Sequence, residues 1–405
     1  MNDTVHTDIA IIGGGIAGLW LINILQQQGF SCVVIENNEL GGEQTLLSQG
    51  IIHGGLKYAL GGTLSSESES IAGMPDRWRK NLSGEGEIDL RRAKILSDTQ
   101  HLWSAGSMAS RFTTFFASKM LRGRINKLKF DNYPTALRNK RFKGNVYCMD
   151  DLVVDTSSLL AALVEQAGDR FLKFDDRSDK IIWNDSGVES IQLAHVNIQP
   201  RITILAAGAG TGALLNDAHQ HDVAKNINVQ LRPLQMLLVQ HNLGHRLYAH
   251  CIGASNKPRL TITTHDATNG DLVWYLGGDI AERGVDMMES ELIAAGRSEL
   301  NQLFPWLDFS EAVFSGVRID RAEPKQDSLI KPDNAYAMRD KNLIVTWPTK
   351  LTLAPDLGDR VMQLLEGFLP SEKRVAINDS TPRARIANAK WETSFVDHDG
   401  TTGHE

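Results

Sequence analysis

Residues 7–36 read TDIAIIGGGIAGLWLINILQQQGFSCVVIE, and this stretch decides the fold. Asp8 to Ile12 is a short apolar run without polar alternation, as a parallel strand buried on both faces requires. Gly13, Gly15 and Gly18 follow at G-x-G-x-x-G spacing. Such glycines make a tight turn, let the backbone approach a pyrophosphate and let the helix pack on the strand. The helix runs from Ala17 to Gln28 and is closed by Gly29; its unpaired N-terminal amides favour an anion. Cys32 to Ile35 is a second buried strand ending in Glu36, about 20 residues beyond the glycines, where a carboxylate accepts from ribose hydroxyls. Strand, turn, helix and acid agree on a dinucleotide site, and the acid selects FAD or NAD over NADP.

A chain of 405 residues is long for one core, so two connected domains are expected. Its 42% hydrophobic and 22% charged composition is that of a soluble globular protein. The net charge of −7 argues against a nucleic-acid partner, which calls for a basic excess. Cys32, Cys148 and Cys251 are widely spaced and match no metal pattern, so no metal is expected and a reducing cytoplasm is. The N-terminus has acids at Asp3 and Asp8, no basic segment, and glycines where a signal peptide would be apolar. No other stretch has the length of a membrane helix, while a peripheral membrane contact stays open.

Residues 37–62, NNELGGEQTLLSQGIIHGGLKYALGG, form a glycine-dense loop long enough to be functional. Its small and hydroxyl residues, Gly42, Thr45, Ser48 and Gly50 among them, suit a backbone running along a flat ligand. The string GEQTLLSQGIIHGGLKYALGG resembles the segment after the second strand in the D-amino-acid oxidase superfamily of FAD enzymes. It is most similar to FAD-linked glycerol-3-phosphate dehydrogenases, with their I-H-G-G-L-[RK]-Y run, and to L-2-hydroxyglutarate dehydrogenases. The resemblance implies FAD as cofactor and places His53 near the isoalloxazine ring.

Farther along, Ser65 to Leu82 reads as a helix and Leu90 to Ile95 as a short strand. His101 to Lys127 alternates basic and apolar residues, and Arg122, Arg124, Lys127 and Lys129 read as a solvated basic face. Asp155 is an N-cap for a helix closed by Gly168. Phe171–Phe174, Ile181–Asn184 and Ser190–Val196 suggest an antiparallel meander. Arg201 to Gly212, RITILAAGAGTG, reads as the last strand of a split nucleotide domain. It carries no second G-x-G-x-x-G, which argues against a pyridine-nucleotide reductase. From Asn228 the pattern is β-rich, with Asn269-Gly270 as a hairpin turn, and Tyr248 and Tyr275 lie where they could line a pocket. Arg318, in the apolar SGVRID strand, must pair with a carboxylate such as Asp320 or Glu323, or meet an anionic substrate; the family's G-h-R at this point favours the substrate. Lys350, in PTKLT, resembles the lysine of the G-G-K-[LI]-T string of glycerol-3-phosphate dehydrogenases, and Pro355 opens an amphipathic helix.

These readings give an α/β chain: a Rossmann-like FAD domain with a split parallel sheet (1–85, 151–220, 316–370), an interleaved antiparallel substrate domain (86–150, 221–315) and a poorly ordered polar tail (371–405). By resemblance, Gly13, Gly15, Ile16, Ala17, Gly18, Glu36, Asn37, Gly42, Thr45, Ser48, Gly50, Ile52, Ala207, Gly208, Thr349, Leu351 and Thr352 bind FAD. Tyr58, Tyr248, Tyr275 and Arg318 would bind substrate. The expected reaction oxidises a CH–OH group of a small anion, a 2-hydroxy acid or polyol phosphate, with hydride passing to flavin N5. His53 would accept the proton of a substrate hydroxyl or amine, or only pack on the flavin, Arg318 would hold the anion, and Lys350 would stabilise reduced flavin. The acceptor is oxygen, a quinone or a carrier. An amine or amino-acid oxidase, a non-catalytic FAD-fold binding protein and a tRNA-modifying oxidase are the alternatives.

Overall fold

The computed structural model describes residues 3–55, 71–104, 125–252, 258–325, 334–371, 377 and 380–395. The Asp3–Ile12 strand lies at the centre of the first sheet and is buried from Thr7 onward. It pairs in parallel with Cys32–Glu36 (Ile9 opposite Cys32) and with Val196–Leu205 (Ile9 opposite Ile202). Phe171–Lys173 extends the parallel set on one side and Leu343–Trp347 on the other. The antiparallel strands Lys180–Asn184 and Gly187–Gln192 lead into Val196–Leu205. This is the Rossmann-like split sheet expected from the first fingerprint. Helix Ile16–Gln27 buries Ile16 through Leu25 because it is sandwiched between that sheet and helices Thr156–Ala167 and Ala354–Leu364. The Thr156–Ala167 helix is capped by Asp155, whose carboxylate accepts from Ser158 N at 2.8 Å.

The second sheet has eight strands in the order Val313–Pro324, Val229–His241, Leu272–Gly277, Pro258–Asp266, Ala249–Ile252, Gln100–Ser104, Val146–Met149, Ile125–Lys127. Among its described strands only the Gln100–Ser104 and Ala249–Ile252 pair is parallel. A core of Leu237, Trp274, Phe304 and Phe314 packs with helix Glu289–Leu303 on one face. Three short strands, Ile51–Ile52, Leu152–Val154 and Ile95–Ser97, form a third sheet.

Three expectations change. Val313–Pro324 pairs along its whole length with Val229–His241, so a boundary at residue 316 would cut a continuous strand. The short strand runs from Ile95 to Ser97 rather than from Leu90 to Ile95. The polar tail is ordered over 380–395: Leu40 N donates to Arg385 O, Ala387 N to Leu40 O and Lys173 N to Pro382 O. Its few apolar residues do the docking, with Ala384, Ala387 and Ala389 buried and Trp391 stacked on His265 at 3.8 Å. Within the expected Ser65–Leu82 helix, Met74–Ser83 is helical among the described residues. Residues 65–70, 105–124 (with Arg122 and Arg124) and 396–405 lie outside the described set. No helix among the described residues is long and apolar enough to cross a membrane.

The wedge of Trp391 leaves His265 buried, and desolvation pushes its pKa down to about 4; burial likewise holds His241 at about 4. Both remain neutral in the fold, whereas unfolded histidine protonates near 6.5. A depressed folded pKa contributes stability that is present above the unfolded value and lost as pH falls towards the folded one. The urea midpoint should therefore fall between about pH 6.5 and 4, and His265→Gln should flatten that fall.

Candidate active site

Where the two large sheets meet, a cavity of about 1070 Å³ opens, at the top of the range for small-molecule sites. Its first end is built by the fingerprint. Gly13 has φ +114°, and Gly18 packs so tightly on the Gly13 carbonyl that a Cβ would collide with it. Glu36 lines the cavity while its two carboxylate oxygens accept from Gly14 N (2.7 Å) and Asn38 N (2.8 Å). The helix starting at Ile16 has no side-chain cap from Gly15, and Thr45 Oγ1 accepts from Ile16 N at 2.9 Å. Gly13, Gly15, Ile16, Ala17, Glu36, Asn37, Gly42, Thr45, Ser48, Gly50, Ala207, Gly208, Thr349 and Leu351 all line this one cavity. A glycine cradle at a helix N-terminus, with a carboxylate at the second strand's end, fits the pyrophosphate and ribose of a dinucleotide.

At the other end lies His53. Ile52 pairs with Leu152 in register, and the next residues out are His53 and Asp151. Their side chains meet at 3.3 Å (Nδ1 to Oδ2), and the other Asp151 oxygen accepts from Gly54 N at 2.8 Å. The His53 ring stacks on His250 at 5.8 Å, and His250 Nδ1 lies 2.8 Å from Thr261 Oγ1. Gln49, in the loop before Ile51–Ile52, reaches the antiparallel sheet, donating to Tyr275 O at 2.8 Å. Lys350 lines the cavity from the loop after Leu343–Trp347. In that loop Thr349 has φ +60° and donates to Asn334 O at 3.1 Å. A left-handed non-glycine residue is strained and must be held by its surroundings. Thr352 donates to His53 O at 3.3 Å, clasping the lysine loop to the histidine loop.

Other expected residues stand elsewhere. Ile52 and Thr352 are buried behind the cavity wall, and Gly18 lies beneath the turn. Tyr275 donates to Leu47 O and Tyr248 to Thr264 O, both as buried structural contacts. Tyr58 is outside the described residues. Arg318 is half-exposed and sits 3.4 Å from Asp320, the carboxylate pairing rather than the substrate contact. Strand alternation explains this: Ile319 and Arg321 face the cavity, and Arg318 and Asp320 face out. Arg321 shares the face of Val317 and Ile319, a parity readable in SGVRIDR. Asp151 carried no such signal, because its partner lies 98 residues away.

A profile of the family described as FAD dependent oxidoreductase (DAO) matches residues 8–346. The probable FAD-dependent oxidoreductase PA4991 of Pseudomonas aeruginosa is 45% identical over 401 residues, covering 98% of this chain and all of its own. The crystal structure of that protein superposes with a TM-score of 0.83 at 41% identity, with 98% and 100% coverage. Glycine oxidase from Geobacillus kaustophilus (TM-score 0.65, 15% identity, 95% and 100% coverage) shares the fold. So does the FAD-bound L-alpha-glycerophosphate oxidase of Mycoplasma pneumoniae (0.60, 12%, 92% and 97%).

Proposed function

This chain belongs to the DAO family of FAD-dependent oxidoreductases, and from that premise we propose that it oxidises a CH–OH group of a small anionic substrate, a 2-hydroxy acid or a polyol phosphate. The observation that carries the reading is the His53–Asp151 pair at the cavity wall. FAD, when bound, supplies the hydride acceptor. A carboxylate at Nδ1 holds the imidazole tautomer whose Nε2 carries the lone pair, which suits it to take a hydroxyl proton. An amine, already nucleophilic when neutral, has less need of such a base. Arg321 approaches from the antiparallel sheet, its Nε donating to Arg232 O at 3.4 Å, and Lys350 from the opposite loop. The two bring positive charge to this end of the cavity, where Glu282 also stands, and suit an anionic substrate group. The N-terminus of helix Ala354–Leu364, opened by Pro355, adds positive potential beside Lys350. A cytoplasmic location is part of the reading, supported by three thiols with no disulfide.

Anaerobic absorbance of the flavin against 2-hydroxy acids, polyol phosphates, amines and amino acids tests this directly. Bleaching by a hydroxy acid or polyol phosphate is the expected result, and bleaching by amines or amino acids alone would overturn it. With the reactive substrate, Arg321→Ala should raise KM by roughly 100-fold, as loss of a charge-assisted contact does, at unchanged flavin content. Arg318→Ala should change neither.

A further inference from the structure

The antiparallel sheet ends at Ile125–Lys127, which pairs only with Val146–Met149 among the described strands. Around this edge, residues 125–143 carry Lys127, Lys129, Arg138, Lys140, Arg141 and Lys143 against a single acid, Asp131. All six cations are exposed. Among the described residues none of them forms an ion pair: Arg138 reaches Asp131 O at 3.1 Å and Lys143 reaches Lys140 O at 3.0 Å, both backbone. Elsewhere on this surface Arg77, Arg246 and Arg259 meet carboxylates. In a chain of net charge −7, this is a concentrated positive surface whose cations meet no carboxylate among the described residues.

An apolar group stands among the cations. Phe130 is 43% exposed between Lys129 and Asp131. Its ring meets Tyr133 at 5.7 Å, Tyr133 meets Phe142 at 5.8 Å, and Phe142 meets Trp306 at 6.0 Å. This row of rings ties the arms 127–130 and 138–143 to one rigid base, so the charges share a surface. Basic side chains around an exposed aromatic ring are the make-up of an interfacial membrane contact. Protein–protein interfaces are depleted in lysine, and four of these six cations are lysines.

We propose that this sheet edge docks the protein on an anionic lipid bilayer, with Phe130 entering the headgroup boundary and the six cations facing the lipid phosphates. The Val146–Met149 strand runs from this surface towards Asp151 and the His53 end of the cavity, so docking sets the substrate end near the bilayer. The proposal does not depend on which substrate is oxidised.

Co-sedimentation of the full-length holoprotein with vesicles tests it. Binding to phosphatidylcholine–phosphatidylglycerol vesicles, none to phosphatidylcholine alone and release by salt are expected. A basic residue near an anionic surface changes partitioning by roughly fivefold. The combined variant Lys127→Glu, Lys129→Glu, Lys140→Glu and Lys143→Glu should therefore lose more than about 100-fold while keeping its flavin spectrum. Arg138→Gln with Arg141→Gln, a milder change, should lose roughly 20-fold. Equal binding to both vesicle types, no binding to either, or binding unchanged in both variants would overturn the proposal. So would a preference for an acidic protein or tRNA over the anionic vesicles.

Discussion

His53→Ala is expected to slow anaerobic flavin reduction by about 10³-fold, within the span for loss of a general base, while the purified protein keeps its full complement of FAD. The separation follows from position. His53 meets the cavity at the end opposite Glu36 and the glycine turn, and its side chain is held by Asp151 rather than by the dinucleotide cradle. Asp151→Asn gives the sharper result. An asparagine oxygen can still accept from Gly54 N, as Asp151 Oδ1 does at 2.8 Å, so the loop keeps its shape. The amide nitrogen would then donate to His53 Nδ1 and push the ring proton onto Nε2, which removes the basic lone pair from the reacting side. Asp151→Asn should thus lose at least about 100-fold in reduction rate. Parallel loss of bound FAD and of rate would instead mean that the histidine only tethers the cofactor.

The parts legible in the sequence were those encoded by neighbours along the chain. The run from Asp8 to Glu36 carries strand, turn, helix and acid within one βαβ unit, and each appears as expected. Asp155 and Gly168 bracket their helix for the same reason. Long-range pairing was not legible. Asp151 reaches His53 only because Leu152–Val154 pairs with Ile51–Ile52, a register set by two segments about a hundred residues apart. Arg318 was favoured for substrate because the family's G-h-R falls at this point, yet the strand exposes that face and Asp320 answers the charge. The 380–395 segment looked disordered because its composition is polar; four small or aromatic residues suffice to seat it, since the sheet edge at Phe171–Lys173 offers backbone partners.

Gly13→Ala should abolish FAD retention and destabilise the fold by on the order of 4 kcal/mol, the sum of backbone strain and overpacking. Two separate demands meet at this residue. Its φ of +114° lies where a Cβ is disfavoured, and a Cβ built there falls 2.6 Å from Ala207 Cα and nearer still to the Ala206 carbonyl. Neither neighbour can yield cheaply: Ala206 N donates to Ile12 O at 2.8 Å and Gly13 N to Ile35 O at 2.8 Å. Moving them would part the central strand from both parallel partners. Gly29→Ala separates the two demands. Gly29 also has positive φ, at +86°, but its nearest atom is Pro370 Cγ at 3.7 Å, so only the conformational cost of about 1 kcal/mol applies. Gly29→Ala should stay yellow and melt a few degrees lower, while Gly13→Ala should be recovered colourless or insoluble. If Gly13→Ala instead carried full flavin and melted with Gly29→Ala, the close approach of this turn to Ala206 would not be what shapes the dinucleotide cradle.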